Sequence, residues 1–158
     1  MTAEELIRML DLKPHPEGGH YRETYRGPSL IPGHAPTRHY STAIYYLLVA
    51  GARSRMHRLA SDEMFHFYLG DPVTWVLLEK SGDRRKVVLG PDLAAGQTVQ
   101  LAIPAGTWFG GCLDQGGKFA LMGTTVAPGF EFEDFQVGDR DELLRAFPRA
   151  EADILRLT

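Results

Sequence analysis

Short apolar runs, each bounded by glycine, proline or aspartate, recur along most of the chain. Runs of this length that are rich in β-branched and aromatic residues are typical of β-strands joined by tight turns. We predict seven strands, at Tyr21–Tyr25, Thr42–Ala50, Met64–Leu69, Val73–Glu79, Arg85–Leu89, Val99–Ile103 and Phe119–Val126. Since no helical pattern alternates with these strands, the sequence predicts an all-β sandwich or barrel.

Two helical patterns flank the strands, one near each end of the chain. Thr2 and Glu5 have the spacing of a capping box, and apolar residues follow them, so we predict a short helix that ends before Pro14. A second capped helix is predicted at Asp139–Phe147, where a proline follows and halts it. The segment Gly27–Pro36 contains three prolines and two glycines, which indicates a loop that covers a binding region.

Composition and charge narrow the class of protein. At 158 residues, with 44% hydrophobic and 23% charged residues, the chain fits a single globular domain spanning 1–158. The net charge of −3 without a dense basic run argues against nucleic acid as a partner. The longest apolar run is too short to span a membrane, so we expect no membrane partner. One cysteine and an N-terminus unlike a signal peptide predict a cytoplasmic location.

The segment Gly51–Gly70 holds the polar residues of greatest chemical interest. His57, Glu63 and His66 adjoin an apolar, aromatic strand, where burial is costly unless such groups are paired, hydrogen-bonded or used. Because side chains alternate along a strand, Glu63 faces one side and His66 and Tyr68 face the other. We favour the arrangement in which Glu63 faces inward, and the inverse arrangement would bring His66 and Tyr68 inward instead.

The same segment resembles the first signature motif of the cupins, G-x5-H-x-H-x(3,4)-E-x6-G, and Pro104–Phe109 resembles the second, P-x-G-x-x-H. Six blocks resemble one cupin subfamily long catalogued as a domain of unknown function: P-H-P-E-G-G at 14–19, Y-R-E-T-Y at 21–25, S-T-A-I-Y-Y-L-L at 41–48, S-D-E-x-F-H-F-Y-x-G at 61–70, P-A-G-T-W at 104–108 and A-P-G-F-E-F-E-D-F at 127–135. The resemblance implies a double-stranded β-helix, or jelly roll, with short flanking helices at both ends. It also implies a homodimer, which suits the open edges of such sheets. The family's biochemistry is unassigned, so no activity follows.

Metal-dependent cupins hold their metal with three histidines and one glutamate. The resemblance carries the first histidine over to His57 and the glutamate to Glu63. Leu59 and Phe109 stand where the other two histidines are expected. Because two protein ligands are fewer than the three or four typical of zinc sites, we predict no metal site, and the sequence identifies no cofactor.

Three functions remain open. The first is binding of a small molecule, anionic or a carbohydrate, through His57 and Glu63. The second is metal-independent epimerisation or isomerisation of a sugar or sugar nucleotide, in which a histidine held by a carboxylate removes a proton beside a carbonyl. Tyr45, Tyr46 and Tyr68 are candidate acids for this chemistry, and we choose Tyr68 because it lies within the motif. The third is a metal enzyme with a reduced ligand set.

Four more residues are candidate ligand contacts. Arg22 is suited to bidentate recognition of a carboxylate or phosphate, or else forms a surface ion pair of little consequence. Trp108 and Phe109 supply either an aromatic wall for a ligand or ordinary core packing. His66 joins them if its side chain faces the cavity.

Overall fold

The computed structural model describes all 158 residues. It contains three α-helices, α1 (Ala3–Met9), α2 (Arg140–Ala146) and α3 (Glu151–Leu157). The strands are β1 (Lys13–Pro14), β2 (His20–Arg26), β3 (Thr42–Val49), β4 (Arg53–Leu59), β5 (Asp62–Gly70), β6 (Val73–Leu78), β7 (Arg84–Leu89), β8 (Gln100–Ile103), β9 (Trp108–Leu113), β10 (Phe119–Ala127) and β11 (Phe135–Val137). The predicted all-β fold with short helices at both ends is therefore confirmed.

Two antiparallel sheets face each other. The first has the strand order β1-β2-β3-β10-β5-β8 and the second the order β11-β4-β9-β6-β7. All seven predicted strands are present with small differences at their ends. The predictions missed β4 and β9, which lie side by side in the second sheet, and the two short strands β1 and β11.

The space between the sheets is filled with apolar side chains at one end and left partly open at the other. Phe65, Trp75 and Phe109 are buried in the main core cluster, with ring centroids 4.3 to 6.0 Å apart. Along β3 the inward side chains change from Leu48, in this core, to Thr42, at the open end. The same strands that build the core therefore continue into the walls of a cavity.

The helices cover the outer faces of the sheets. Leu6, at the buried face of α1, packs against Leu47 of the first sheet, and the predicted capping box between Thr2 and Glu5 starts this helix. On the second sheet, α2 and α3 bury an apolar cluster that includes Met56 of β4. None of the helices combines the length and the apolar composition needed to cross a membrane.

The loop 27–41 is fixed to the rest of the protein at its C-terminal end. Arg38 is buried and donates to both carboxylate oxygens of Asp134, at 2.6 and 2.8 Å. No residue of Gly27–Pro36 lines the cavity, which corrects the expectation that this segment covers the bound molecule. The flanking residues Arg26 and Thr42 do line it.

Candidate functional site

The cavity at the open end of the sandwich has a volume of about 140 Å³. Its walls come from β2, β3, β4, β5 and β10, from the turn that precedes β2, and from the segment that leads into β11. Apolar and aromatic side chains line much of the surface, among them Ile44 and Val126. His57 and Glu63, the two residues singled out by the sequence, both line it.

His57 lies on β4 and is only 1% exposed. Its Nδ1 is 2.6 Å from the carbonyl oxygen of Arg55, so Nδ1 carries a hydrogen and donates. Its Nε2 is 3.2 Å from Oε2 of Glu17. Nε2 is therefore the ring nitrogen through which His57 contacts the carboxylate of Glu17. The rings of Phe109 and Phe135, with centroids 4.1 and 5.3 Å away, hold the imidazole in place.

Glu17 reaches this position because the turn between β1 and β2 is pressed against β4. The carbonyl oxygen of Glu17 accepts a 2.9 Å hydrogen bond from the backbone N–H of Arg55, and Oε1 accepts a 2.8 Å hydrogen bond from the hydroxyl of Ser54. Gly18 has a φ of +117°, and a Cβ atom there would collide with the carbonyl oxygen of Arg53. A glycine at this point is therefore required for the turn to approach β4 closely enough.

His15 sits beside this pair as a neutral imidazole. Its Nδ1 accepts a 3.3 Å hydrogen bond from the backbone N–H of Glu17. Burial lowers the pKa of His15, the nearby carboxylate of Glu17 opposes that shift, and His57 adds to it. The ring of His15 also contacts those of Tyr21 and Phe135, so it forms part of the aromatic wall.

Glu63 is the other acidic group of the cavity. It is 8% exposed, and its Oε2 has no hydrogen-bond partner. Burial, and then the negative charge of Glu17, raise the pKa of Glu63 from 4.5 to about 8, while the hydroxyl of Thr124 opposes the rise. At neutral pH, Glu63 is therefore mainly an uncharged carboxylic acid, which can donate a hydrogen bond.

Of the three candidate tyrosines Tyr45, Tyr46 and Tyr68, only Tyr46 lines the cavity. Its hydroxyl donates a 2.9 Å hydrogen bond to the carbonyl oxygen of Gly18. Burial, followed by the charge of Glu17, raises the pKa of Tyr46 well above its ordinary value, so it remains a neutral phenol. The prediction of Tyr68 as the acid is wrong, because alternation places its side chain on the outer face of the first sheet, away from the cavity. There it is 50% exposed and packs edge-on against Tyr45, with a ring centroid distance of 6.2 Å.

Arg22 and His66 also lie on the outer face of the first sheet. The Arg22 guanidinium sits 5.7 Å from the ring centroid of Tyr45. His66 is 3.1 Å from the hydroxyl of Thr125 and 3.1 Å from the side-chain amide of Gln100. Neither Arg22 nor His66 lines the cavity, so the expectation that they contact its ligand is wrong.

Trp108 and Phe109 follow the packing alternative instead of forming a ligand wall. Trp108 is half-buried beside the helices on the outer face of the second sheet, with the guanidinium of Arg58 4.5 Å from its ring centroid. Phe109 points inward but is 1% exposed and lies behind His57, where it belongs to the core. The aromatic wall comes instead from Tyr21, Phe130 and other residues that sequence reasoning did not assign to the site.

At the mouth of the cavity, an ion-pair cluster forms around the partly exposed Arg26. Its guanidinium contacts Glu23 at 2.8 Å and Glu131 at 2.5 Å, and it donates to the carbonyl oxygen of Phe130 at 3.3 Å. The cluster therefore ties β2 to the aromatic segment that leads into β11.

A metal centre of the kind described for cupins does not fit these residues. Leu59 and Phe109 offer no donor atoms, and both ring nitrogens of His57 are engaged. No three His, Cys, Asp or Glu side chains are arranged to hold a metal ion.

Known proteins resemble this chain both in sequence and in structure. A family model described as Cupin superfamily (DUF985) matches residues 4–138. The uncharacterized protein YML079W of Saccharomyces cerevisiae is 28% identical over 147 residues, which cover 84% of this chain and 73% of that protein. A hypothetical protein from Leishmania major has a similar structure, with a TM-score of 0.94, 31% identity and coverage of 100% of this chain and 99% of that one. Protein SO0799 from Shewanella oneidensis has a TM-score of 0.92 and 37% identity, covering 100% of this chain and 98% of that one.

Proposed function

This chain belongs to the DUF985 family of the cupin superfamily. Since two of the relatives named above are described as uncharacterized or hypothetical, we propose a function from the cavity itself. The protein binds a small organic molecule between His57 and Glu63. The volume of about 140 Å³ is close to that of protein cavities that hold benzene. A ligand of roughly that size fills the interior of the cavity.

The unpartnered Oε2 of Glu63 is the observation that carries this proposal. Leaving a buried polar atom without a hydrogen bond costs about 1–3 kcal/mol. A ligand that bonds to the carboxyl group would remove that cost. The aromatic rings nearby supply the apolar surface expected of a small-molecule site.

Binding is tested by saturation-transfer NMR on the purified protein with small cyclic alcohols, amines and carboxylates. We expect at least one class to bind, and binding to be lost in Glu63→Gln and His57→Ala. Arg22→Ala, altered on the outer face of the same sheet, is the control and should bind as the wild type does. The proposal fails if no class binds, or if folded Glu63→Gln and His57→Ala proteins bind undiminished.

A second candidate function is acid–base catalysis on a small hydroxycarbonyl compound. Two groups that can carry protons support it: the imidazole of His57, in contact with Glu17, and the carboxyl group of Glu63. Such groups can move protons on and off the carbon beside a carbonyl. Incubation of trioses or tetroses with the enzyme in D₂O should then give deuterium exchange that His57→Ala abolishes. Exchange at the background rate would leave only the binding function.

We also propose that the chain forms a homodimer through the edge of the first sheet. The edge strand β8 carries no charged residue, in contrast to the edge strand β7, which contains Arg84, Arg85 and Lys86. Charged side chains are a common protection of sheet edges against pairing. Light scattering that gives the mass of a monomer would contradict this proposal.

A further inference from the structure

The charged groups of the cavity leave no cation free to meet an anionic ligand. Arg26, the one guanidinium in the lining, is already paired with both Glu23 and Glu131. His15 accepts a hydrogen bond at Nδ1, and Nε2 of His57 lies 3.2 Å from the carboxylate of Glu17. The lining contains three other carboxylates, those of Glu17, Glu23 and Glu131, against the single guanidinium of Arg26. It therefore carries a net negative charge even when Glu63 is uncharged.

Three phenylalanine rings of the cavity lining pack edge-on against one another. Phe130 and Phe132 have ring centroids 5.0 Å apart and planes at 81°. Phe130 and Phe135 are 6.5 Å apart with planes at 65°. The face of an aromatic ring is electronegative, and cages of such rings recognise ammonium groups.

Glu63 adds a second, independent indication of a ligand. It is more than nine-tenths buried, lines the same cavity, and presents an oxygen without a partner. An N–H group of a ligand would satisfy that oxygen, and a positive charge on the same nitrogen would form an ion pair with the carboxylate. The chemistry that combines an N–H donor, a positive charge and apolar substituents is that of an alkylammonium ion.

We propose that the cavity binds a small alkylammonium cation that retains at least one N–H, with this N–H on Glu63 and the alkyl groups against the rings of Phe130, Phe132 and Phe135. The inference rests on the binding function proposed above and names the class of its ligand. It replaces the anionic ligand expected from the sequence by a cation.

Binding of a cation is coupled to loss of the proton of Glu63, which passes to solvent as the ion pair forms. The charged or titratable groups around Glu63 are Glu17 and His57 on one side, His15 and Tyr46 beside them, and the Arg26 cluster at the mouth. Of these, His15 and Tyr46 stay neutral, for the reasons given above, and the others are held in pairs. Since the pKa of Glu63 is about 8, the affinity for the cation should rise about tenfold between pH 6 and pH 7.

The experiment compares four probes of nearly equal shape by NMR titration of the ¹⁵N-labelled protein. Trimethylammonium has a charge and an N–H, tetramethylammonium has only the charge, tert-butanol has only a hydrogen-bonding group, and pivalate has the opposite charge. We expect trimethylammonium to bind at least tenfold more tightly than each of the others at pH 7.5. The shifted resonances should include the amides of Phe130 and Phe132.

Two matched variants separate the role of Glu63 from a general effect of charge. Glu63→Gln should weaken trimethylammonium at least tenfold and abolish the pH dependence. Glu142→Gln, the same substitution at an exposed position of α2, should change neither. Tighter binding of tert-butanol or pivalate than of trimethylammonium would overturn the inference and leave the binding function standing. Absence of binding by all four probes, together with failure of the fragment classes above, would overturn both.

Discussion

Replacing Glu63 by glutamine is expected to stabilise the protein by an amount that grows with pH. In the unfolded chain this carboxyl group ionises near its ordinary pKa of 4.5, whereas in the folded protein its pKa is about 8. Between these two values the folded state binds more protons at this site than the unfolded state does. The free energy of unfolding of the wild type therefore falls as pH rises, by up to about 1.4 kcal/mol per pH unit from this group alone.

The magnitude follows from the two pKa values. From pH 5.5 to pH 7.5, the unfolded state gains stability continuously as Glu63 ionises, while the folded state holds most of its proton. The wild type should lose about 2–3 kcal/mol through this group over that interval, and the glutamine variant should lose none of it. Other titrating groups are common to both proteins, so they cancel in the difference.

Urea unfolding of the wild type and Glu63→Gln at pH 5.5 and pH 7.5 measures this difference. Glu142→Gln is the control, since its carboxylate is exposed on α2 and its difference from the wild type should be the same at both pH values. An equal difference between wild type and Glu63→Gln at the two pH values would refute the assignment of Glu63 as a buried, uncharged acid.

Two further substitutions test how the cavity is built. Arg26→Ala removes two half-exposed ion pairs worth about 1 kcal/mol together, so amide hydrogen exchange in the segment 130–134 should accelerate about fivefold, whereas Arg22→Ala should leave it unchanged. Gly18→Ala forces a methyl group into the backbone of β4 at a φ of +117° and should lower the free energy of unfolding by about 3 kcal/mol or more. Gly33→Ala, at a φ of +71° but in open space, should cost about 1 kcal/mol in the same urea assay.

The strands predicted correctly are those whose apolar run stands out between turn signals, such as Val73–Leu78. The strand β4 was missed because its three arginines hide the buried residues among them. The strand β9 was missed because it contains the adjacent glycines Gly110 and Gly111, and glycine is a poor strand former. In the structure they are close-packing positions, since a Cβ atom on Gly111 would come within 2.7 Å of the ring of Trp75.

Alternation along one strand predicted that Glu63 and His66 face opposite ways, and the cupin resemblance favoured Glu63 as the inward residue. The rest of the site depends on pairing between strands. With Glu63 inward, alternation already places Tyr68 outside, but choosing Tyr46 over Tyr45 needs the register of β3 against β10. Pairing Glu17 with His57 needs the docking of a turn onto a strand that lies far along the chain. The glycines after Glu17 indicated an unusual turn, but local sequence holds no information about the surface that the turn meets.

The walls of the cavity come from residues 15–26 near one end of the chain and from residues 124–135 near the other, together with residues 42–63 between them. No fragment of the chain can assemble this site, so a bound compound must stabilise the entire fold against melting. At a concentration one hundred times its Kd, a compound that binds only the native state adds about 2.7 kcal/mol to the free energy of unfolding. A melting-temperature screen of a metabolite library can therefore identify the physiological compound without any assumption about turnover.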